Sequence, residues 1–183
     1  MPKERLNLTV LFADLKGFTA LSEEADPEDV HEIVSSLFER FRAAIEREGG
    51  LVDKYLGDAV MAVWGVDRDS EDDPLRAVRA ARAMQGALED FNEEREVRLS
   101  LRAGIDTGEA LWGEIAGDRP TAMGDAVNLA QRLEQACVPG EVLVSSEVER
   151  ATRNFVRYRE LAPIEVKGRS EPVRPFEVVS LIG

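Results

Sequence analysis

The chain has 183 residues, of which 44% are hydrophobic and 32% are charged, and its formal net charge at pH 7 is -13. This length and balance are typical of one globular domain with its own core. The acidic excess, without any run rich in Lys or Arg, argues against a protein that binds duplex nucleic acid. Because Cys137 and His31 are the only cysteine and histidine, the sequence excludes an internal disulfide framework and cysteine- or histidine-based metal clusters.

The first six residues, Met-Pro-Lys-Glu-Arg-Leu, lack the apolar stretch of a signal peptide. No apolar run approaches the roughly 20 residues that a transmembrane helix needs. We therefore expect a cytosolic chain without a membrane segment.

The first half of the chain predicts a strand, a helix and a hairpin. β-Branched and aromatic residues from Leu6 to Ala13 favour a strand that ends at a glycine-containing turn. Asp26-Pro27 is typical of a helix start, and apolar residues recur at helical spacing until Gly49-Gly50. Leu51 to Trp64 then indicates a tight hairpin around Gly57-Asp58.

The second half predicts another helix, two strands, a third helix and a short-strand region. Asp73-Pro74 opens the second helix, and Val97 to Asp106 alternates apolar and polar residues with the period of a strand. A further strand is expected after Gly108. The next helix is predicted from about Asp125 to Ala136, with Pro139-Gly140 as its end. The last forty residues indicate short strands and one short helix.

The order of these elements predicts an α+β fold. The first six, β-α-β-β-α-β, match the ferredoxin-like split βαβ arrangement, an antiparallel sheet with helices on one face. A β-α-β-β extension follows. Since no repeat, linker or low-complexity segment divides the chain, we expect residues 1–183 to form a single domain.

Two aspartates are candidates for metal binding. Asp14 closes an apolar strand, and Asp58 lies in the hairpin turn. Taken singly, each is equally consistent with ordinary turn chemistry. However, the first strand and the hairpin of a split βαβ unit can be neighbours, and two adjacent carboxylates would repel unless cations lay between them. The pair therefore points to divalent cations of the kind used in phosphoryl chemistry.

Two further groups are suited to a nucleotide. Gly17-Phe18-Thr19 begins a short helical stretch whose backbone N–H groups can contact phosphate oxygens, although a glycine turn often serves only the chain path. Asn128 and Arg132 lie one helical turn apart, suited to ribose and phosphate. For such a pair alone, a solvated polar face is the more frequent explanation.

Three segments together resemble class III nucleotidyl cyclase catalytic domains. They run from Leu11 to Thr19 (LFADLKGFT), from Lys54 to Asp58 (KYLGD) and from Thr121 to Arg132 (TAMGDAVNLAQR). The likeness extends from about Leu6 to Val179, and six functional positions match in order and spacing. Relatives often have histidine at the position of Asp106. This position is not one of the family's catalytic residues.

The resemblance implies a role for each matching residue. Asp14, Asp58 and the Leu15 carbonyl would bind two divalent metal ions, Mg²⁺ or Mn²⁺. Lys54 and Thr121 would read the base, and threonine at that position resembles the subclass that includes bicarbonate-responsive enzymes. The remaining matches are Asn128, which would orient the ribose, Arg132, which would stabilise the transition state, and Lys167, which would meet the triphosphate.

The implied activity is that of an adenylyl cyclase, which converts ATP to 3',5'-cyclic AMP and pyrophosphate. A lysine donor and a hydroxyl acceptor complement N1 and N6 of adenine, whereas an ammonium opposes the N1–H of guanine. The family builds its sites between two subunits, so a homodimer with two equivalent sites is expected. Guanylyl cyclase or another nucleotide phosphotransferase remains the enzymatic alternative, and a degenerate dimerisation or nucleotide-sensing module the non-enzymatic one. A diguanylate cyclase would need a Gly-Gly-Asp/Glu-Glu-Phe turn, which is absent.

Overall fold

The structure, a computed structural model, describes residues 3–183; the first two residues of the predicted domain lie outside this range. The strands are β1 (Glu4–Lys16), β2 (Leu51–Leu56), β3 (Ala59–Trp64), β4 (Ser100–Gly113), β5 (Thr121–Met123), β6 (Val142–Val144), β7 (Val156–Glu160) and β8 (Phe176–Leu181). The helices are α1 (Phe18–Glu24), α2 (Pro27–Arg47), α3 (Asp73–Arg95), α4 (Asp125–Ala136) and α5 (Ser146–Thr152). No helix within residues 3–183 has the length and hydrophobicity needed to cross a membrane.

All eight strands form one sheet, in the order β2-β3-β1-β4-β6-β8-β7, with β5 paired to β4. The first four strands are antiparallel throughout, with β1 between β3 and β4. This order confirms the predicted split βαβ core. The extension joins through a parallel pairing of β6 with β4, and β8 and β7 then continue the sheet in antiparallel fashion.

Alternation along β1 divides the interior into two layers. Leu11, Ala13 and Leu15 face α2 and α3, which cover one side of the sheet and confirm the expectation for the core helices. Leu8, Val10 and Phe12 face the opposite side. That second side is covered by α4 of the extension, whose Ala126 and Ala130 join the same apolar cluster.

The long strand β4 differs from the sequence prediction. A separate strand was expected after Gly108, but β4 runs through Gly108 without interruption and pairs with β1 from Trp112 to Ser100. Pairing with β1 along this whole length supplies backbone hydrogen bonds that offset the weak strand preference of glycine. The new strand, β5, begins only at Thr121 and pairs with the distal end of β4.

Gly104 lets α4 lie directly on the backbone of β4. A Cβ at this position would come within 2.2 Å of the Ala130 carbonyl oxygen and 2.3 Å of the Glu134 nitrogen. Both atoms belong to helix backbone, which cannot move aside as the end of a flexible side chain can. Because no other residue lacks a Cβ, glycine at this position sets how closely the helix approaches the sheet.

Gly104→Ala should lower the free energy of unfolding by about 3 kcal/mol, the upper end of the range that is typical of overpacked cores. Gly86→Ala is the matched control, since Gly86 lies within α3 and an added Cβ there meets nothing within 4 Å. This control should stabilise the protein by up to about 1 kcal/mol through helix propensity. Thermal and urea unfolding of both variants provide the measurement, and equal stabilities would contradict the close approach of α4.

Candidate active site

Asp14 and Asp58 lie side by side at one end of the β1–β3 pair. Asp14 pairs with Ala59 at the start of β3, and the Leu15 amide donates a hydrogen bond to the Asp58 carbonyl oxygen at 3.1 Å. Because Asp58 immediately precedes Ala59 in the hairpin turn, the two carboxylates come from adjacent backbone positions. The adjacency on which the metal-site interpretation depended is therefore present in the fold.

The two aspartates have opposite pKa shifts. Burial and the negative charge of Asp14 raise the pKa of Asp58. Burial alone would also raise the pKa of Asp14, but the neighbouring carboxyl groups of Glu134 and Asp58, the charge of Lys16 and the contact with Arg102 hold that pKa below its usual value. Asp14 is therefore the more strongly ionised member of the pair.

Sequence reasoning missed two neighbours of Asp14. Arg102 on β4 has its guanidinium nitrogen 3.2 Å from Asp14 Oδ2 and 3.6 Å from Glu134 Oε1. Glu134 lies on the buried side of α4, and burial together with the neighbouring Asp14 carboxylate raises its pKa to about 7. These residues meet only because β1 pairs with β4 and because α4 packs closely on β4. The sequence offered one signal, the charged Glu134 among the apolar residues of α4.

The arrangement fits a hard divalent cation. Asp14 Oδ1 is buried and receives no hydrogen bond from the residues that the structure describes, while Oδ2 faces Lys16 and Arg102. An acidic oxygen left without a donor is suited to a cation such as Mg²⁺ or Mn²⁺. Within residues 3–183 no group of three or more His, Cys, Asp or Glu side chains forms a metal site. Asp14, Asp58 and the Leu15 carbonyl could therefore supply only part of a coordination shell.

Gly17, Phe18 and Thr19 form the turn that follows β1, shortly after Asp14 in the chain. Gly17 has φ 93°, and a Cβ there would lie 2.5 Å from the Arg98 carbonyl oxygen. Only glycine satisfies both constraints. The backbone N–H groups of Phe18 and Thr19 lie at the start of α1, where they have no acceptor within the helix.

Lys54 and Thr121 line one open cavity of about 440 Å³. Between them is Asp53, a buried carboxylate that the sequence reasoning did not single out. It accepts hydrogen bonds from the Thr121 hydroxyl at 2.8 and 3.0 Å and from the Ala122 amide at 2.9 Å. The other lining residues belong to the loop between β4 and β5: Ile115, Ala116, Asp118, Arg119 and Pro120.

Asn128, Arg132 and Lys167 line a second cavity, of about 330 Å³. Asn128 and Arg132 are exposed on α4, on the side opposite its apolar residues, as the helical pattern predicted. Lys167 comes from the segment between β7 and β8. At the rim, Arg169 forms an ion pair with Asp125 at the start of α4.

The predicted site residues thus form three groups within one chain. The Lys54–Thr121 cavity shares no lining residue with the Asn128–Arg132 cavity, and neither includes Asp14 or Asp58 among the residues that line it. A single chain therefore does not bring all the predicted residues into one pocket.

Asp106 is a further buried carboxyl, on the α4 side of β4 between Gly104 and Gly108. Its exposed fraction is 4%, and its Oδ1 finds no hydrogen-bond partner in the described part of the chain. Burial raises the pKa of Asp106 to about 7, although Ser145 and the Thr107 backbone act in the opposite direction. The carboxyl is therefore mostly neutral below this pH.

Comparison with proteins of known structure gives close matches over the whole chain. The adenylyl cyclase CyaB from P. aeruginosa superposes with a TM-score of 0.94 at 32% identity, covering 98% of this chain and 97% of that one. The guanylyl cyclase Cya2 gives a TM-score of 0.92 at 30% identity, covering 99% of this chain and 95% of that one. These matches confirm the predicted fold class.

Sequence comparison agrees. The family described as Adenylate and Guanylate cyclase catalytic domain matches residues 1–178. Adenylate cyclase 1 of Rhizobium meliloti is 32% identical over 97% of this chain, and the adenylate cyclase of Anabaena cylindrica is 32% identical over 93%. The chain spans only 28% and 36%, respectively, of the length of these two relatives.

Asp106→Asn should become more stable, relative to the parent protein, as the pH rises. The folded protein keeps the Asp106 proton until about pH 7, whereas an unfolded aspartate releases it near its usual pKa of about 4. The parent protein therefore loses stability as the pH rises from about 4 to about 7, whereas the Asp106→Asn variant does not. Between pH 5 and pH 8 the difference in unfolding free energy should shift by roughly 2–3 kcal/mol in favour of the variant.

Urea unfolding at pH 5 and pH 8 measures this shift. Asp67→Asn, in an exposed loop, is the matched control for the change in net charge. A difference between Asp106→Asn and the parent that stays the same at both pH values would contradict the buried neutral carboxyl.

Proposed function

This chain belongs to the class III nucleotidyl cyclases, the family of adenylate and guanylate cyclase catalytic domains, and on that basis we propose that it converts ATP to 3',5'-cyclic AMP and pyrophosphate. The observation that carries the proposal is the Asp14–Asp58 pair, with the unpartnered Asp14 Oδ1, at the end of β1. A buried acidic oxygen without a donor is costly unless a cation compensates it. Phosphoryl chemistry with divalent cations is the use that agrees with the family.

Asp14, Asp58 and the Leu15 carbonyl would hold the two divalent cations. When bound, these ions supply Lewis acidity that favours ionisation of the ribose 3'-hydroxyl and neutralises the leaving pyrophosphate. Arg102 and Lys16 contact only Oδ2 of Asp14, so they fix the carboxylate while its other oxygen stays free. They would act as positioning residues.

The second cavity would bind the sugar and the phosphates. Asn128 would hydrogen-bond the ribose and hold its 3'-hydroxyl in line with the α-phosphorus. Arg132, whose guanidinium is exposed and donates to Gln135 at 3.1 Å, would turn to the α-phosphoryl oxygens as charge accumulates there. Lys167 would contact the triphosphate, as would the backbone N–H groups of the turn at Gly17-Phe18-Thr19.

Most of the catalytic effect would come from folding the substrate. The attacking hydroxyl and the phosphorus belong to the same nucleotide, so the enzyme has to hold one bent conformation rather than bring two molecules together. Contacts that form only as charge develops, such as those of Arg132, would raise the rate of the chemical step itself. A water molecule or a substrate phosphate would accept the hydroxyl proton.

The first cavity would select the base. The Lys54 ammonium is a donor for adenine N1, and the Thr121 oxygen is an acceptor for the N6 amino group. Guanine presents a donor at N1 and an acceptor at O6, the reverse pattern. Since the related structures include both adenylyl and guanylyl cyclases, the fold does not choose the base, and this donor–acceptor pattern favours adenine over the guanylyl cyclase alternative.

Two chains would complete each site. Within one chain the aspartates, the base cavity and the ribose–phosphate cavity are separate. In a homodimer, Asp14 and Asp58 of one protomer would face the two cavities of its partner, which gives two equivalent sites. The same separation disfavours a chain that works as a monomer.

Purified protein incubated with ATP and Mg²⁺ or Mn²⁺ should yield cyclic AMP and pyrophosphate, resolved by chromatography. In parallel reactions, ATP should be preferred over GTP by at least about tenfold in kcat/KM, the scale of one well-placed hydrogen bond. Cyclic GMP formed at an equal rate would reject the assignment to adenine. If neither cyclic AMP nor cyclic GMP forms with Mg²⁺ or with Mn²⁺, the result would favour the non-enzymatic module.

Mixing Asp14→Ala with Arg132→Ala, each nearly inactive, should restore activity. One site of the mixed dimer collects both defects and the other none, so complete exchange should restore roughly a quarter of the parent activity. The control is a mixture of Asp14→Ala and Asp58→Ala, which carry their defects on the same half of the site and should not recover. If exchange is shown by differently tagged chains and the first mixture stays inactive, the shared site is wrong.

A further inference from the structure

Asp53 occupies an irregular position in β2. The register between β2 and β3 shifts between Val52 and Lys54, so Asp53 is the extra residue of a bulge. A bulge re-aims the side chain of the extra residue. Here it turns an aspartate inward: the Asp53 side chain is 1% exposed and forms part of the wall of the cavity that Lys54 and Thr121 also line.

The hydrogen bonds of Asp53 fix the direction of the Thr121 hydroxyl. Thr121 Oγ1 lies 2.8 Å from one oxygen of the carboxylate and 3.0 Å from the other, and it is the donor in both contacts. A hydroxyl has one hydrogen and two lone pairs. Once the hydrogen is committed to Asp53, Thr121 can present only an acceptor to the cavity.

Asp53 also lies close to the second base-facing residue. The Lys54 ammonium is 3.9 Å from Asp53 Oδ1. The single buried carboxylate therefore accepts from the Thr121 hydroxyl while it attracts the neighbouring cation. The cavity consequently combines one oriented acceptor, Thr121 Oγ1, with a neighbouring donor, Lys54 Nζ.

We propose that Asp53 is a specificity-determining residue that sets this donor–acceptor pattern for a 6-amino purine, an inference that rests on the proposed function. A threonine without a committed hydrogen could rotate and donate to the 6-oxo group of guanine as readily as it accepts from the 6-amino group of adenine. Asp53 removes that freedom. It does so through the Thr121 hydroxyl, and is therefore a positioning residue.

An amide at position 53 should reverse the pattern. The Ala122 backbone N–H donates to Asp53 Oδ2 at 2.9 Å and cannot become an acceptor. In Asp53→Asn, the amide oxygen would face Ala122, and the amide NH₂ would then face Thr121 Oγ1. A donor at this place occupies a Thr121 lone pair that otherwise faces the cavity. Only the oxygen at 3.0 Å then competes for the Thr121 hydrogen, which can turn to a 6-oxo purine.

The test measures kcat/KM for ATP and for GTP in the parent, Asp53→Asn, Thr121→Val and the double variant. In Asp53→Asn the ratio of kcat/KM for ATP to kcat/KM for GTP should fall by about tenfold or more. In the Thr121→Val background the same change at position 53 should leave the ratio unaltered, because no hydroxyl remains to be turned. Simple loss of local structure would lower both rates and leave the ratio in place.

A second measurement separates this inference from the proposed function. Affinities for nonhydrolysable ATP and GTP analogues, measured by calorimetry, should show the same change in preference without any turnover. Cyclase activity with an unchanged preference in Asp53→Asn, by rate and by affinity, would overturn the role of Asp53 alone. Selective binding without product would overturn the cyclase assignment but support Asp53, and a parent protein that neither binds nor converts purine nucleotides would overturn both.

Discussion

Repulsion between two carboxylates at the ends of neighbouring strands governs the surroundings of the candidate active site. Asp14 and Asp58 are brought together by backbone pairing alone, so the sheet sets their separation and the side chains must adapt. Two positively charged side chains, Lys16 and Arg102, face the same oxygen of Asp14. The other oxygen is buried without a hydrogen-bond partner among residues 3–183. The protein has a net charge of -13, yet two positive side chains are placed beside this one aspartate. Such an arrangement is typical of a functional site that keeps a carboxylate ionised.

Helix α4 links this site to the other half of the proposed dimer. Its inner side lies on the backbone of β4 at Gly104 and carries Glu134 to Asp14. Its outer side carries Asn128 and Arg132, which would contact the substrate bound by the partner's aspartates. Because a helix packed this closely moves as a rigid unit, a displacement of α4 would alter the metal side of one site and the ribose side of the other together.

The sequence predicted most of the fold because its elements depend on short-range patterns, whereas the roles given to the site residues stay predictions. Helical spacing and Asp-Pro starts placed α2 and α3 well, and the turn residues placed the β2–β3 hairpin. The continuity of β4 through Gly108 was missed, since it depends on pairing with β1 rather than on local preference. Arg102 and Asp53 were missed for a related reason: each is an ordinary charged residue until a bulge or a neighbouring strand gives it a buried partner.

In the proposed base cavity, a neutral side chain would act with the polarity of an acidic one. An aspartate at position 121 would itself be an acceptor. Here threonine occupies that place, and a hydroxyl alone has no preferred polarity. The buried Asp53 supplies it through a hydrogen bond of 2.8 Å. The negative charge would then lie one side chain further from a bound triphosphate, where repulsion of a polyanionic substrate is weaker, while the acceptor would still face the base.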